Sequence, residues 1–323
     1  MMKRTITALA ATAALTIGST AIAAEDASCG TVRFGQVNWT GVSAKTETAA
    51  WMLGEMGYKT DIITASVPIM FQSLATNDRD AFLGLWLPTQ RSMVQDNMKK
   101  GNIDLVTKNL KGAKYTVGVN KAAWDAGVRH FSDLAENAEK FDNKILGIEA
   151  GNDGNQIIKQ MIEDDAYGMG DLELQASSEA GMLTQVQRRT DRGEWAAWLA
   201  WAPHPMNINI DLKFLNGGED YWGPNQGGAT VYTLARKGYA WECPNVGQFL
   251  ENYEYTVEEQ SKMAGYVIND EMDYAEAGRK LVQDNPELLE RWFGQGGTYQ
   301  TGPVKTADGE SNAKDAVSKA LGL

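Results

Sequence analysis

The stretch from Thr31 to Val37 has the composition of a strand, and in the run that follows Ala49, Ala50, Met52, Leu53 and Met56 fall on one helical face before Gly57 stops it. Tyr58 to Thr64 predicts a second strand. Pro68 suits the first turn of a helix carrying Phe71 and Leu74, and Asp80 to Leu87 is an apolar run of strand length. Strand and helix alternate as βαβαβ, an order that calls for a parallel sheet.

The same pattern restarts after Lys111. Tyr115 to Val119 and Lys144 to Glu149 predict strands, Gly151-Asn152-Asp153-Gly154 a turn, and Gln156 to Glu163 a helix. Glu194 to Trp201 and Thr230 to Ala235 continue as strands, and from Val246 onward the pattern turns helical: Glu258 to Val267, Asp273 to Gln283, Pro286 to Phe293, and a tail from Ser311 to Leu321. The expected architecture is two parallel-sheet α/β lobes joined by two crossings. Residues 24–112 and 226–323 form the first lobe and 113–225 the second, with a ligand cleft between them.

Residues 1–23 stand apart from this fold. Lys3 and Arg4 precede an Ala-rich apolar run ending in Ala21-Ile22-Ala23, the pattern of a secretory signal peptide. The chain as a whole is acidic: its 323 residues carry 42 Asp and Glu against 30 Lys and Arg, a formal charge of -12. That balance argues against a nucleic-acid partner and leaves nothing basic to hold an anionic membrane. Cys29 and Cys243 are the only cysteines. In an exported chain a disulfide is the expectation, two buried thiols the alternative. Neither C-x-x-C nor a metal-ligand spacing occurs, so no metal and no cofactor are expected.

Chemistry concentrates in aromatic residues at strand ends. Trp39 follows the first strand, Trp86 ends Gly84-Leu85-Trp86-Leu87-Pro88, Tyr115 opens the second lobe, and Trp201 ends another strand before Ala202-Pro203-His204-Pro205. In open α/β sheets that edge is where ligands bind. Any one tryptophan is more simply core filling; four aromatics at strand ends of two lobes are not so easily dismissed. Ring faces suit a trimethylammonium group, which has no N–H to give a carboxylate. Sugars stack on tryptophan too.

These stretches resemble the periplasmic substrate-binding proteins of ABC importers for choline and glycine betaine, above all the rhizobial-type choline binders. The likeness rests on Trp39-Thr40, Phe82 to Thr89, Ala113 to Thr116, Gly147-Ile148-Glu149 with Gly151 to Asn155, Trp201 with Pro203 to Asn207, Gly227 to Thr233, and Glu242 to Gly247. It implies a type II periplasmic binding-protein fold, a monomer in the periplasm, and partnership with an inner-membrane permease and its ATPase subunit. By the same resemblance the ammonium box falls on Trp39, Trp86, Tyr115 and Trp201, the polar head-group contact on Asn152, and the disulfide on Cys29 and Cys243. One departure matters. The choline binders carry an aspartate after the Trp-Thr pair, where this chain has Gly41. Loss of that carboxylate weakens the case for a choline hydroxyl and favours a zwitterion such as glycine betaine, carnitine or dimethylsulfoniopropionate.

His204 between two prolines is a candidate donor to a ligand carboxylate, or else a histidine bonded to local backbone. His130 reads as a surface residue. The Gly151 to Gly154 turn is either an anion cradle or an ordinary helix cap. No Walker A, G-x-S-x-G or H-E-x-x-H motif occurs. Of a solute-binding module, a secreted hydrolase and a sugar-binding adhesin, the first accounts for leader, lobes and aromatics together.

Overall fold

A computed structural model describes residues 27–294, 304–306, 309–311 and 313–323; the expected leader lies outside them. One sheet of nine strands organises the described chain: β1 Thr31–Gln36, β2 Lys59–Thr64, β3 Ala81–Leu87, β4 Ile103–Val119, β5 Lys144–Leu146, β6 Glu173–Gln175, β7 Ala197–Ala202, β8 Lys213–Phe214 and β9 Gly228–Arg236. Their order is β2-β1-β3-β9-β4-β7-β5-β6, with β8 on β4. Two wings result, β2-β1-β3 and β7-β5-β6, joined through β9 and β4.

Pairing within the first wing is parallel, as is that of β5 with β6 and with β7. The joining strands differ: β9 is antiparallel to β3 and β4, and β4 is antiparallel to β7 and β8. The expectation of parallel lobes therefore holds in the wings and fails where the chain crosses between them. The two joining strands each run against the neighbours they pair with, so the sheet is mixed there and parallel only in its wings.

β4 also starts earlier than its apolar run suggests. Ile103 to Lys111 mixes Asp104, Thr107, Lys108 and Asn109 among the apolar residues, and bulges interrupt its register with β9 three times, so the alternation that marks a strand is broken. β3 shows the opposite case. Its residues Ala81 to Leu85 are all buried, because helices or strands cover both faces, and a continuous apolar run follows.

Helix α1, Thr40–Glu55, begins directly after Trp39 and ends at Gly57, whose φ of 92° closes the last turn in a conformation that favours glycine. It packs against helices Val257–Ile268 and Tyr274–Asp284 from the C-terminal part. The first of these starts in a capping box: Thr256 Oγ1 accepts from the Glu259 amide and Glu259 accepts from the Thr256 amide, at 3.1 and 2.8 Å. That fixed start sets Gln260 against the first turn of α1. Cys29 and Cys243 form a disulfide with Cα atoms 5.5 Å apart, tying the entry of β1 to the turn after β9.

Candidate functional site

Four rings converge where the wings meet. Tyr115 on β4 and Trp201 on β7 are cross-strand partners in the antiparallel register, which places their side chains on one face. Their ring centroids are 6.4 Å apart at 76°, and Trp86 at the end of β3 stands 5.6 Å from Tyr115. Trp39 closes the fourth side from the N-terminus of α1, where its carbonyl accepts the Val42 and Ser43 amides. Trp39, Tyr115 and Trp201 keep only 8%, 5% and 7% of their surface exposed. The same cavity is lined by Gly41, Lys45 and Gln260, with Leu110, Ile148 and Pro203 between them.

Tyr115 is held from behind. The Tyr115 hydroxyl donates to Asn152 Oδ1 at 3.0 Å, and Trp222 meets the ring edge-on at 5.7 Å. The approach is possible because residue 154 is glycine: a Cβ there would lie 2.4 Å from the Tyr115 hydroxyl. Burial, with Asp153 nearby, raises the Tyr115 pKa well above the ordinary value, so it remains a neutral phenol. Burial likewise raises the carboxyl of Asp153.

The resemblance assigns Asn152 to the ligand's head group, and the sequence leaves His204 as either a ligand donor or a histidine bonded to local backbone; in the structure neither lines the cavity. Asn152 caps the helix Asp153–Glu163 through Asn155 and accepts from Tyr115, so both jobs fall to its one oxygen. It is a positioning residue for Tyr115. His204, 2% exposed, packs edge-on against Trp201 at 5.1 Å. Its Nδ1 accepts the Met206 amide at 3.1 Å, which places its proton on Nε2, 3.3 Å from Glu179. Both nitrogens are already committed. His130, exposed, caps a short helix as its N-terminal residue.

The sequence assigns no role to Glu149, Glu179, Gln90, Lys45 or Gln260, all of which belong to the site. Trp39 donates its indole N–H to Glu149 at 2.8 Å; the Thr40 amide donates to both oxygens of Glu179 at 3.3 and 3.2 Å, and its hydroxyl donates to Glu179 as well. Gln90 Nε2 donates to Asp153 at 3.1 Å. These bonds run from one wing to the other. Desolvation raises the Glu149 pKa, opposed by its bond from Trp39. Lys45 and Gln260 were missed for a different reason: both sit on helices where a polar residue is ordinarily read as solvent-facing. Lys45 carried a signal nonetheless, since Val42, Lys45, Ala49, Met52 and Met56 form one stripe at helical spacing.

Residues 30–284 match the model of the substrate-binding domain of ABC-type glycine betaine transport systems. A solved ABC-transporter choline-binding protein in complex with choline is 41% identical over 92% of this chain and 100% of its own, with a TM-score of 0.85. A choline-binding protein in an unliganded semi-closed conformation, also 41% identical over the same shares of both chains, superposes with a TM-score of 0.79. A curated protein of Chromohalobacter salexigens, named only as uncharacterised ORF1, is 42% identical over 157 residues, 49% of this chain and 98% of that one. With most of its length inside the family model and its whole fold shared with type II binding proteins, the chain belongs to the substrate-binding proteins of glycine betaine-type ABC transporters.

Proposed function

We propose that this protein captures a small quaternary ammonium compound of the choline or glycine betaine class in the box of Trp39, Trp86, Tyr115 and Trp201, and delivers it to a membrane permease driven by an ATPase subunit. The observation that carries the reading is the convergence of four aromatic faces on one cavity from both wings of the sheet. A trimethylammonium group offers no N–H and is weakly hydrated, so ring faces are its natural partners, at about 0.5 to 2 kcal/mol per contact. Relatives named as choline and glycine betaine binders support the same class.

The wings act as two lobes, with boundaries near 112/113 and 225/226, that close over the ligand. The bonds to Glu149, Glu179 and Asp153 are the closing contacts, and the higher similarity to the choline-bound relative than to the semi-closed one agrees with a closed form. A monomer suffices, since one chain completes the cavity. The compartment is the periplasm, supported by the leader-like N-terminus and by a disulfide that needs oxidising surroundings. The ligand is released chemically unchanged.

Calorimetric titration with choline, glycine betaine and a neutral sugar tests this. Binding of at least one quaternary amine, weakened in Trp201→Ala, is the expected result; binding of the sugar alone overturns it.

A further inference from the structure

Lys45 lines the cavity beside the aromatic box, yet it is 2% exposed and has no acidic partner. Its one hydrogen-bond partner among the described residues is Asn109 Oδ1 at 2.8 Å, which uses one of its three donors if charged. Asn109 is held in turn through Leu83 O and Thr233 Oγ1 at 3.1 and 3.0 Å. One turn earlier on α1 stands Gly41, also on the cavity, whose carbonyl accepts Gln260 Nε2 at 3.1 Å. Gln260 is 2% exposed and its Oε1 has no partner. A lysine donor set therefore shares one cavity with four aromatic rings, and among the described residues no carboxylate pairs with it.

Resting on the proposed function, we infer that Lys45 receives the anionic end of a zwitterionic ligand whose ammonium occupies the aromatic box, and that ligand binding draws a proton onto Lys45. A cavity built for choline would gain nothing from a lysine, because a charged ammonium there repels the ligand. A carboxylate-bearing betaine gains a charge-assisted hydrogen bond. In the ligand-free cavity burial lowers the Lys45 pKa from 10.5 to about 7, with desolvation the cause. An arriving carboxylate reverses that preference.

The surrounding ionisable groups do not substitute for it. Behind Lys45, Tyr253 donates to its carbonyl and Tyr255 donates to Tyr253, and burial raises both phenols. On the helices against α1, Glu259 pairs with Arg291, while Glu258, Lys262, Asp273, Glu276 and Arg279 are exposed and Lys280 pairs with Asp284. On β4, Lys108 and Lys111 are exposed, and Glu47 on α1 itself is half-buried. Across the cavity Tyr115 is neutral, Glu149 is bonded to Trp39, and Glu179 to Thr40 and His204.

The experiment is titration calorimetry of the full chain with glycine betaine and with choline between pH 6 and 9, each in two buffers of different ionisation enthalpy. For glycine betaine, affinity falls with rising pH above 7, by up to about tenfold per unit, and at pH 8 close to one proton is taken up on binding. For choline the trend reverses between pH 6 and 8. Lys45→Met removes proton uptake, flattens both profiles and shifts the betaine-to-choline affinity ratio at least tenfold toward choline. Buffer-independent heats and flat profiles in the unaltered protein, which need no variant, overturn the inference while leaving the aromatic box standing. Failure of both ligands to bind at every pH overturns the box and the inference together.

Discussion

Replacing Lys45 by methionine tests the burial of this lysine without any ligand. The native cavity holds its pKa at about 7, whereas the unfolded chain restores 10.5. Between those values the unfolded state binds a proton that the native state does not, so stability rises with pH, by about 1.4 kcal/mol per unit from this group. Below pH 7 the lysine is charged in both states and the cost is complete; above 10.5 it is neutral in both and the cost is gone. At pH 7 the accumulated penalty is about 4 kcal/mol. Methionine removes it but leaves Asn109 Oδ1 without its donor, a loss of about 1 to 3 kcal/mol. The ligand-free variant is therefore more stable at pH 7 by about 1 to 3 kcal/mol, and the advantage shrinks and then reverses toward pH 10. Urea unfolding of both proteins at unit steps from pH 7 to 10 measures the difference, in which all other titrating groups cancel. Parallel stability curves would refute the reasoning, since they place the Lys45 pKa at its ordinary value.

Other outcomes follow from the same geometry. Trp201→Ala costs about 1 to 3 kcal/mol of ligand affinity by calorimetry, and Trp39→Ala costs more because it also strands Glu149, while Trp241→Ala, at a side chain 91% exposed, changes nothing. Glu179→Ala weakens ligand binding by about 1.5 to 3 kcal/mol through loss of the Thr40 contacts, and small-angle scattering of that variant shows less compaction on ligand addition than the unaltered protein. Joint Cys29→Ser and Cys243→Ser substitution lowers unfolding stability by up to about 5 kcal/mol, given the sequence separation of 214 residues, and an unchanged urea unfolding midpoint would argue against it. Gly41→Asp moves preference toward choline in calorimetry, because the new carboxylate lies one helical turn from Lys45 and pairs with it; an unchanged ratio removes position 41 from the head-group end.

Strand ends were the legible part of the site. Trp39, Trp86 and Trp201 lie at or just past the ends of strands, as the apolar runs suggest, whereas Tyr115, expected at a strand end, lies inside the long β4 and joins them as the cross-strand partner of Trp201. What holds the rings was illegible, because Glu149 and Glu179 reach Trp39 and Thr40 across 110 and 139 residues, with no local pattern to link them. Asn152 misled for a related reason. Its place in a polar turn beside the box is right, but its oxygen is consumed by the helix cap and by Tyr115, a commitment visible only once the helix and β4 meet. The strand β4 shows the same limit: its first half pairs through bulges, and a bulged strand carries no clean alternation.

A lysine in a box made for a cation looks like a contradiction until its protonation is followed. The cost of about 4 kcal/mol is a large share of the 5 to 15 kcal/mol by which a native domain is usually stable, and Met, Leu or Thr would fill the position without it. Asp153, Glu149 and Glu179 do not lessen the problem, because they are occupied in contacts between the wings. With a pKa near 7 the ligand-free cavity is half neutral at neutral pH, so the ammonium end of a zwitterion enters a box that repels it only weakly. Its carboxylate then stabilises the proton on Lys45, and the same lysine that resisted choline becomes the anchor for the opposite end. The rings recognise one half of the ligand and the buried amine the other. With glycine at position 41, no carboxylate side chain at that position competes with the ligand's own for Lys45.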